Sequence, residues 1–166
     1  MLRPATSADF GFIRGLAGRP ENAPFITDED EAALADYLTD ATVRLLIWEV
    51  GGQPAGYALF CTVGDPSGAV ELRRLALDAS GGGQGQRFLR VLLDHGFGTL
   101  GAARVWLDAS GENPRAMRVY ERAGFTLEGR LRQHWYRPAL GRVVDLMLYG
   151  MLRAEWEALE PLSGQA

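Results

Sequence analysis

The spacing of apolar and polar positions changes several times along the chain, and each change predicts a different element. Stretches with helical spacing alternate with β-rich runs, and turns containing glycine or proline separate them. In chain order the patterns predict a strand at 2–5, helices at 8–16 and 29–38, strands at 43–50, 55–63 and 69–77, a helix at 86–97, a strand at 104–109, a helix at 114–123, and strands at 126–136 and 142–152. Thr27 and Asp28 are expected to cap the second helix, and Asn113 is expected to cap the helix at 114–123.

The middle of the chain, residues 70–109, has the pattern of a strand, a glycine loop, a helix and a second strand. Such a βαβ unit has parallel strands and a right-handed crossover. The sequence therefore predicts an α/β fold. Its mixed central sheet should have about six to seven strands, antiparallel at both ends and parallel in the middle, flanked by about four helices. We expect one domain over residues 1–159 and a flexible tail at 160–166.

Composition narrows the functional classes. The 166 residues are 47% hydrophobic and 23% charged, which is typical of a folded domain, and the formal net charge is −4. An acidic chain is a poor general binder of nucleic acid or membrane but tolerates a cationic substrate. Cys61 is the single cysteine, and no cysteine–histidine spacing indicates zinc or another metal. Without a signal peptide or membrane-spanning run, the expected location is the cytoplasm.

A glycine-dense loop stands between the third long strand and its following helix. Gly81, Gly82, Gly83 and Gly85 occupy four of five positions around Gln84. Backbone N–H groups at such a strand-to-helix turn suit a phosphate or pyrophosphate. The loop lacks the lysine and hydroxyl of a Walker loop, and the third glycine of a Rossmann loop is replaced by phenylalanine.

Two segments together resemble the GNAT superfamily of N-acetyltransferases. The strand at 71–78 and the loop ending Gly83-Gln84-Gly85 resemble its pyrophosphate motif, although Ser80 stands where Arg or Gln is usual. Residues 113–125, Asn-Pro-Arg-Ala-Met-Arg-Val-Tyr-Glu-Arg-Ala-Gly-Phe, closely resemble its second motif. The resemblance implies the GNAT fold, with acetyl-CoA as acetyl donor.

The resemblance also implies the roles of individual residues. Tyr120 is expected to protonate the departing thiolate, and either Glu71 or an ordered water to deprotonate the amine. The oxyanion donor would be a strand N–H, most plausibly that of Leu77. The expected coenzyme-binding residues are Leu75, Ala76, Leu77, Gly81, Gly82, Gly83, Gln84, Gly85, Gln86, Arg87, Asn113, Ala116 and Tyr120. His134 is a candidate contact to the acceptor, whereas His95 is expected to be structural.

The acceptor is less defined than the donor. The segments 128–132 and 145–152 resemble the branch related to ribosomal-protein N-terminal acetyltransferases, which implies a protein or peptide N-terminus. A small-molecule amine is the other acceptor class, and residues 20–40 and 130–145 should shape its pocket. A non-catalytic acyl-CoA-binding or sensing module remains the alternative function. The chain is expected to be a monomer or a homodimer.

Overall fold

The computed structural model describes residues 1–79 and 81–159. Ser80 and the expected tail at 160–166 lie outside these ranges. The strands are β1 (Leu2–Pro4), β2 (Arg44–Val50), β3 (Gln53–Cys61), β4 (Ala69–Leu77), β5 (Arg104–Ser110), β6 (Thr126–Arg137) and β7 (Arg142–Leu152). The helices are α1 (Phe10–Ala17), α2 (Glu31–Thr39), α3 (Gln84–Asp94), α4 (Pro114–Arg122) and α5 (Arg153–Glu157). A 3₁₀ turn at Ser7–Asp9 precedes α1, and a π-helical turn at His95–Thr99 follows α3.

Over the described ranges the strands form one sheet in the order β1-β2-β3-β4-β5-β7-β6. The β4–β5 pair is parallel and the other pairs are antiparallel. This arrangement confirms the predicted α/β class and the mixed GNAT sheet. The β2–β3 hairpin turns through Gly51 and Gly52, both with positive φ, as a tight turn between twisted strands requires.

Some element boundaries differ from the prediction. The second helix begins at Glu31, and its cap is Asp30, whose carboxylate accepts the Ala33 N–H at 2.9 Å. The predicted cap residue Asp28 instead pairs with Arg14. The short helix α5 carried no clear periodicity and was not predicted. None of the helices in the described ranges is long and apolar enough to cross a lipid bilayer.

Two apolar clusters lie among the buried residues of the sheet and its helices. One includes the buried stripe of α3, with Phe88 and Leu92, and extends to Tyr120 of α4. The other contains Ile13 and Leu16 of α1. The helices that carry these stripes are therefore held against the sheet by burial of apolar surface, which is the main stabilising term in folding.

The central parallel pair is short. β4 and β5 pair only over Ala69–Glu71 with Arg104–Trp106. Beyond this point β4 has a bulge against β3, because Leu59 pairs with Arg74 and Phe60 with Leu72, which leaves Arg73 as the extra residue. A bulge bends its strand and increases the local twist. β4 and β5 therefore separate beyond Glu71, and the gap opens the cavity described next.

Candidate functional site

A cavity of about 410 Å³ lies where β4 and β5 separate. Its lining comes from the 19–27 loop, the second half of β4, the end of β5, the start of α3, most of α4 and one residue of β6. The lining residues are Glu21, Asn22, Phe25, Ile26, Leu72, Arg73, Arg74, Leu75, Ala76, Leu77, Asp78, Gly85, Asp108, Ala109, Ser110, Glu112, Asn113, Pro114, Arg115, Ala116, Val119, Tyr120 and Trp135. The volume is in the range of pockets for small ligands.

The β4 segment presents backbone groups to this cavity. The Asp78 N–H donates to the Ala55 carbonyl of β3 at 2.9 Å. Successive residues of a strand direct their peptide groups to opposite sides, so the N–H groups of Leu75 and Leu77 face away from β3. They face the gap that β5 has left, as the expected oxyanion donor requires, and Ala76 lies between them on the lining.

The glycine loop has a conformation that only glycine adopts easily. Gly81, Gly82 and Gly83 have φ of 105°, 55° and 78°. A Cβ at any of the three would meet no atom within 4 Å, so glycine is required here by the backbone and not by space. Gly83 is the N-cap of α3, and the first turn of an α-helix presents N–H groups without intrahelical partners.

The residues after the loop divide between lining and structural contacts. Gly85 lines the cavity, and a Cβ added at this position would lie 3.9 Å from the side chain of Val119 in α4. Gln86 donates its amide N–H to the Val119 carbonyl at 2.8 Å, which links α3 to α4. Gln84 has a buried side-chain oxygen, and Arg87 is exposed. Gln86 therefore has a structural contact in addition to its expected coenzyme role.

Helix α4 brings the second motif to the same cavity. Asn113 caps the helix by accepting the Ala116 N–H at 3.1 Å, and both residues line the cavity. Tyr120 also lines it, is buried, and packs edge-on against Tyr149. Burial, and secondarily the charge of Asp108, raises the pKa of Tyr120 above its ordinary value. The phenol therefore keeps its proton at neutral pH and is able to donate it.

Glu71 lies one residue before the stretch of β4 that lines the cavity. Its side chain is buried and accepts two hydrogen bonds from Arg73, at 2.6 Å from Nη2 and 3.1 Å from Nε. The Glu71 carboxylate is therefore paired with the guanidinium of the bulge residue, Arg73. Its negative charge acts on Asp108, a lining residue of the cavity.

Asp108 is a catalytic candidate that the sequence patterns did not indicate. It stands near the end of β5, lines the cavity, and is partly buried. Burial, and then the negative charge of Glu71, raises the pKa of Asp108 to about 6, whereas Arg73, Arg74 and His134 lower it. The available signal was a carboxylate within the run 105–110 of otherwise apolar or small residues, five positions before the second motif.

The other wall comes from segments far apart in sequence. Phe25 and Ile26 of the 19–27 loop and Trp135 of β6 line the cavity, so both segments expected to shape the acceptor pocket contribute to it. Trp135 directly follows a register shift in β6 at which Gln133 has a positive φ of 48°. His134 is exposed within this bulge and acts on Asp108 through its charge.

Cys61 and His95 lie in structural settings outside the cavity lining. Cys61 is buried in β3, and burial raises the pKa of its thiol to about 11. His95 begins the π-helical turn after α3, next to the Phe60 ring, and burial lowers its pKa. Within residues 1–79 and 81–159, no group of three or more His, Cys, Asp and Glu side chains is arranged to hold a metal ion.

Comparisons with known proteins agree with this geometry. Spermidine N(1)-acetyltransferase of Escherichia coli K12 is 22% identical over 143 residues, covering 81% of this chain and 77% of the relative. Aminoglycoside N(6')-acetyltransferase type 1 of Klebsiella pneumoniae is 31% identical over 124 residues, covering 68% of this chain and 62% of the relative. The crystal structure of Vibrio cholerae spermidine N-acetyltransferase in complex with CoA and spermine superposes with a TM-score of 0.81 at 20% identity, covering 95% of this chain and 97% of that one.

The family assignment rests on the sequence profile of the GNAT acetyltransferase family. That profile matches residues 11–125, which include most of α1, the glycine loop and the whole second motif. The match covers more than half of the chain and every lining residue of the cavity except Trp135. The chain therefore belongs to the GNAT family of acetyltransferases.

Proposed function

We propose that this enzyme transfers the acetyl group of acetyl-CoA to a primary amine of a small cationic molecule, by direct attack of the amine on the thioester. The proposal rests on one observation. A carboxylate with a raised pKa, Asp108, and a protonated phenol, Tyr120, line the same cavity where β4 and β5 separate. A base and an acid in one site are what amine acetylation requires.

The residues of one side fit the coenzyme, and we name them the coenzyme side: Leu75, Leu77, Gly85, Asn113 and Tyr120. The peptide groups of Leu75 and Leu77 face an open gap, in which an extended amide-containing chain is able to pair like a strand. The positive-φ glycines place the N-terminus of α3 beside it, which suits a pyrophosphate. When bound, acetyl-CoA supplies the thioester.

We assign the proton transfers to Asp108 and Tyr120. A carboxyl group with a pKa of about 6 is mainly ionised at neutral pH and accepts a proton better than an ordinary aspartate does. It takes the proton that the amine loses as its nitrogen bonds to the acetyl carbon. Tyr120 donates its proton to the sulfur as the carbon–sulfur bond breaks, and the Leu77 N–H stabilises the oxyanion.

Glu71, the base expected from the sequence, has a different role in this proposal. Its carboxylate accepts two hydrogen bonds from Arg73, and its negative charge is one cause of the raised pKa of Asp108. We therefore assign Glu71 to tuning Asp108. An ordered water between Asp108 and the amine is compatible with this assignment.

The charges of the opposite wall favour a cationic acceptor. We name this wall the acceptor side: Glu21, Phe25, Ile26 and Trp135. The lining arginine Arg73 is paired with Glu71, and Arg74 is paired with Glu29. Their charges are therefore largely compensated. Glu21 and Asp108 together outweigh the lining Arg115 of α4, which leaves negative charge for an ammonium group.

Cavity size supports a small amine over the peptide N-terminus implied by the ribosomal-protein branch. About 410 Å³ must hold the arm of the coenzyme together with the acceptor, which leaves room for a slender amine. Spermidine, in the name of one relative above, is a slender cationic amine, whereas the aminoglycosides in the name of the other are cationic but bulkier. A peptide acceptor and the non-catalytic sensing role remain as outcomes of the test.

The test is release of free CoA from acetyl-CoA with a panel of polyamines, aminoglycosides, short monoamines and N-terminal peptides. We expect turnover with a polycationic small amine, and a kcat about 10- to 100-fold lower in Tyr120→Phe because the leaving thiolate loses its proton donor. Turnover restricted to peptides would refute the acceptor class. Tight acetyl-CoA binding without turnover on any acceptor would refute the enzyme and favour the sensing role.

A further inference from the structure

The 19–27 loop forms much of the acceptor side without being a helix or a strand. Four of its residues line the cavity, Glu21, Asn22, Phe25 and Ile26. At its start Arg19 donates to the Asp78 carbonyl at 2.5 Å, which ties the loop to the end of β4. Asn22 donates to the Leu16 carbonyl at 2.8 Å. Phe25 and Ile26 each donate a backbone N–H to the Asn22 carbonyl at 2.8 Å, so the backbone of the loop is partly fixed from within.

The second part of the loop, with Phe25 and Ile26, is also held by one arginine from a distant part of the sequence. Arg137, the last residue of β6, is only 3% exposed. Its guanidinium donates from Nε to the Pro24 carbonyl at 2.8 Å and from Nη2 to the Ala23 carbonyl at 2.9 Å. Nη1 donates to the Thr27 hydroxyl at 3.2 Å. The guanidinium therefore spans three oxygens on both sides of Phe25 and Ile26.

The same guanidinium of Arg137 also packs against the ring of Trp135. Its central carbon lies 4.0 Å from the centre of the Trp135 ring, a cation–π geometry, and Trp135 lines the cavity. The oxygens that accept from Arg137 are neutral, two carbonyls and one hydroxyl. Burial of a charge against neutral groups is costly, and burial accordingly lowers the pKa of Arg137. The loop and the ring together compensate for that cost.

We propose that Arg137 is a positioning residue that determines which amines the enzyme accepts, because it holds Phe25 and Ile26 of the loop against Trp135. The inference rests on the proposed function and deepens it. A short amine needs only the space beside the thioester, whereas a long polyamine extends along the wall that Arg137 holds. Acceptor length is therefore the property that Arg137 controls, and acetyl-CoA binding on the other side is independent of it.

Lysine is the informative replacement. It keeps the positive charge and most of the side-chain length, but its single nitrogen cannot span three oxygens and stack flat on a ring. Arg137→Lys therefore removes the geometry and retains the charge. Phe25→Ala is a second variant, which removes part of the loop wall while Arg137 stays intact.

The chain offers a matched control in Arg153. Its Nη2 donates to the Phe97 carbonyl at 2.8 Å and to the Ala102 carbonyl at 2.6 Å, and its guanidinium lies 5.8 Å from the Phe97 ring centre. These contacts resemble those of Arg137, but they lie at the paired end of β4 and β5, where Ala103 donates to the Gly68 carbonyl. Arg153→Lys therefore reports the structural cost of such a change away from the cavity.

The experiment compares steady-state kinetics of the wild type, Arg137→Lys, Phe25→Ala and Arg153→Lys with a long polyamine and a short monoamine, together with each melting temperature. In Arg137→Lys we expect the KM for the polyamine to rise about tenfold, the effect of losing a hydrogen bond to a charged group. The KM values for the monoamine and for acetyl-CoA should change less than about twofold, as should every KM in Arg153→Lys.

The outcomes separate this inference from the proposed function. If the wild type acetylates no amine, the proposed function fails and the inference fails with it. If the wild type is active but Arg137→Lys keeps its preference for the polyamine, or loses both acceptors equally, only the inference is overturned. Should Arg137→Lys not fold, Phe25→Ala decides: the same selective rise in the polyamine KM supports the inference, and an unchanged preference overturns it.

Discussion

The coenzyme side of the cavity comes from one continuous stretch of chain, residues 75–120, whereas the acceptor side joins the 19–27 loop to Trp135 of β6. On the first side, backbone groups and a helix N-terminus face the cavity. On the second, side chains are held by one arginine whose partners lie 110 to 114 positions away. Asp108 connects the two sides electrostatically. It raises the pKa of Tyr120 on the coenzyme side, and His134, next to Trp135, lowers the pKa of Asp108.

This difference indicates that acetyl-CoA binding and acceptor binding are able to change independently of each other. Backbone donors are insensitive to substitution, so the coenzyme side keeps one ligand while the sequence around it varies. Side-chain walls change with every substitution, so the acceptor side is free to adopt a new amine without loss of the donor site. Substitutions on the two sides should therefore have separable effects on the two substrates.

The largest effect should come from Asp108→Asn, which removes the proposed base from between the two sides. We expect kcat to fall about 100- to 1,000-fold, the usual contribution of a general base, while the dissociation constant of acetyl-CoA changes little. Steady-state kinetics and calorimetry measure both. Glu21→Gln is the matched control: it removes a lining carboxylate without removing the base, so it should raise the acceptor KM and preserve kcat. Equal kcat losses in the two variants would contradict the assignment.

The same substitution should also change stability in a pH-dependent way. Folding raises the pKa of Asp108 from its ordinary value of 3.8 to about 6, so the fold favours the protonated carboxyl. That contribution is complete below pH 3.8 and is lost as the pH rises through 6. Asp108→Asn should therefore be more stable than the wild type by about 3 kcal/mol at pH 8 and by about half of that at pH 5. Denaturant titrations at the two pH values measure this; a difference independent of pH would contradict the raised pKa.

A change in the glycine loop should affect the coenzyme side alone. Gly83→Ala forces a Cβ into a left-handed conformation at φ of 78°, which costs about 1 kcal/mol or more and distorts the start of α3. We expect acetyl-CoA to bind about five- to tenfold more weakly, with an unchanged acceptor KM. Gly98→Ala, at a position where a Cβ meets no atom within 4 Å, should leave both unchanged. A higher acceptor KM in Gly83→Ala without weaker binding of acetyl-CoA would show that the two sides are not separable.

The smallest effect should come from Asn113→Ala at the start of α4. The substitution removes the hydrogen bond that caps the helix, which costs about 1 kcal/mol of the free energy of unfolding. Asn113→Asp keeps an accepting oxygen and should restore that stability. If Asn113 also contacts the coenzyme through its amide, acetyl-CoA affinity will fall in both variants, whereas a role in capping alone predicts normal affinity in Asn113→Asp.

The coenzyme side was largely predictable from the sequence because its signals are local. The bounds of β4 and the capping role of Asn113 follow from strand periodicity and cap chemistry, and the structure agrees with both. The second helix was harder, since four consecutive acidic residues offer several possible caps and Asp28 pairs with an arginine instead. A helix of five residues such as α5 has too few turns to show periodicity.

The acceptor side was much less predictable, because its properties depend on contacts between distant segments. The raised pKa of Asp108 requires its burial and the approach of Glu71 from the neighbouring strand, which no local pattern reports. Arg137 resembles any arginine near the end of a strand until the 19–27 loop is folded against it. The sequence predicted that residues 20–40 and 130–145 shape the acceptor pocket, and residues of both segments line the cavity. No local pattern indicated the residue that joins them.

The pH dependence of kcat/KM for the acceptor in the wild type and in Glu71→Gln tests the central claim most directly. If Asp108 is the base and Glu71 raises its pKa, the wild type loses activity below about pH 6. Glu71→Gln should shift this acid limb to lower pH while kcat/KM at pH 8 stays largely preserved, because both the lost negative charge and the released Arg73 lower the pKa of Asp108. An unshifted limb with a large loss of activity at all pH values would contradict the account and return Glu71 to the role of base.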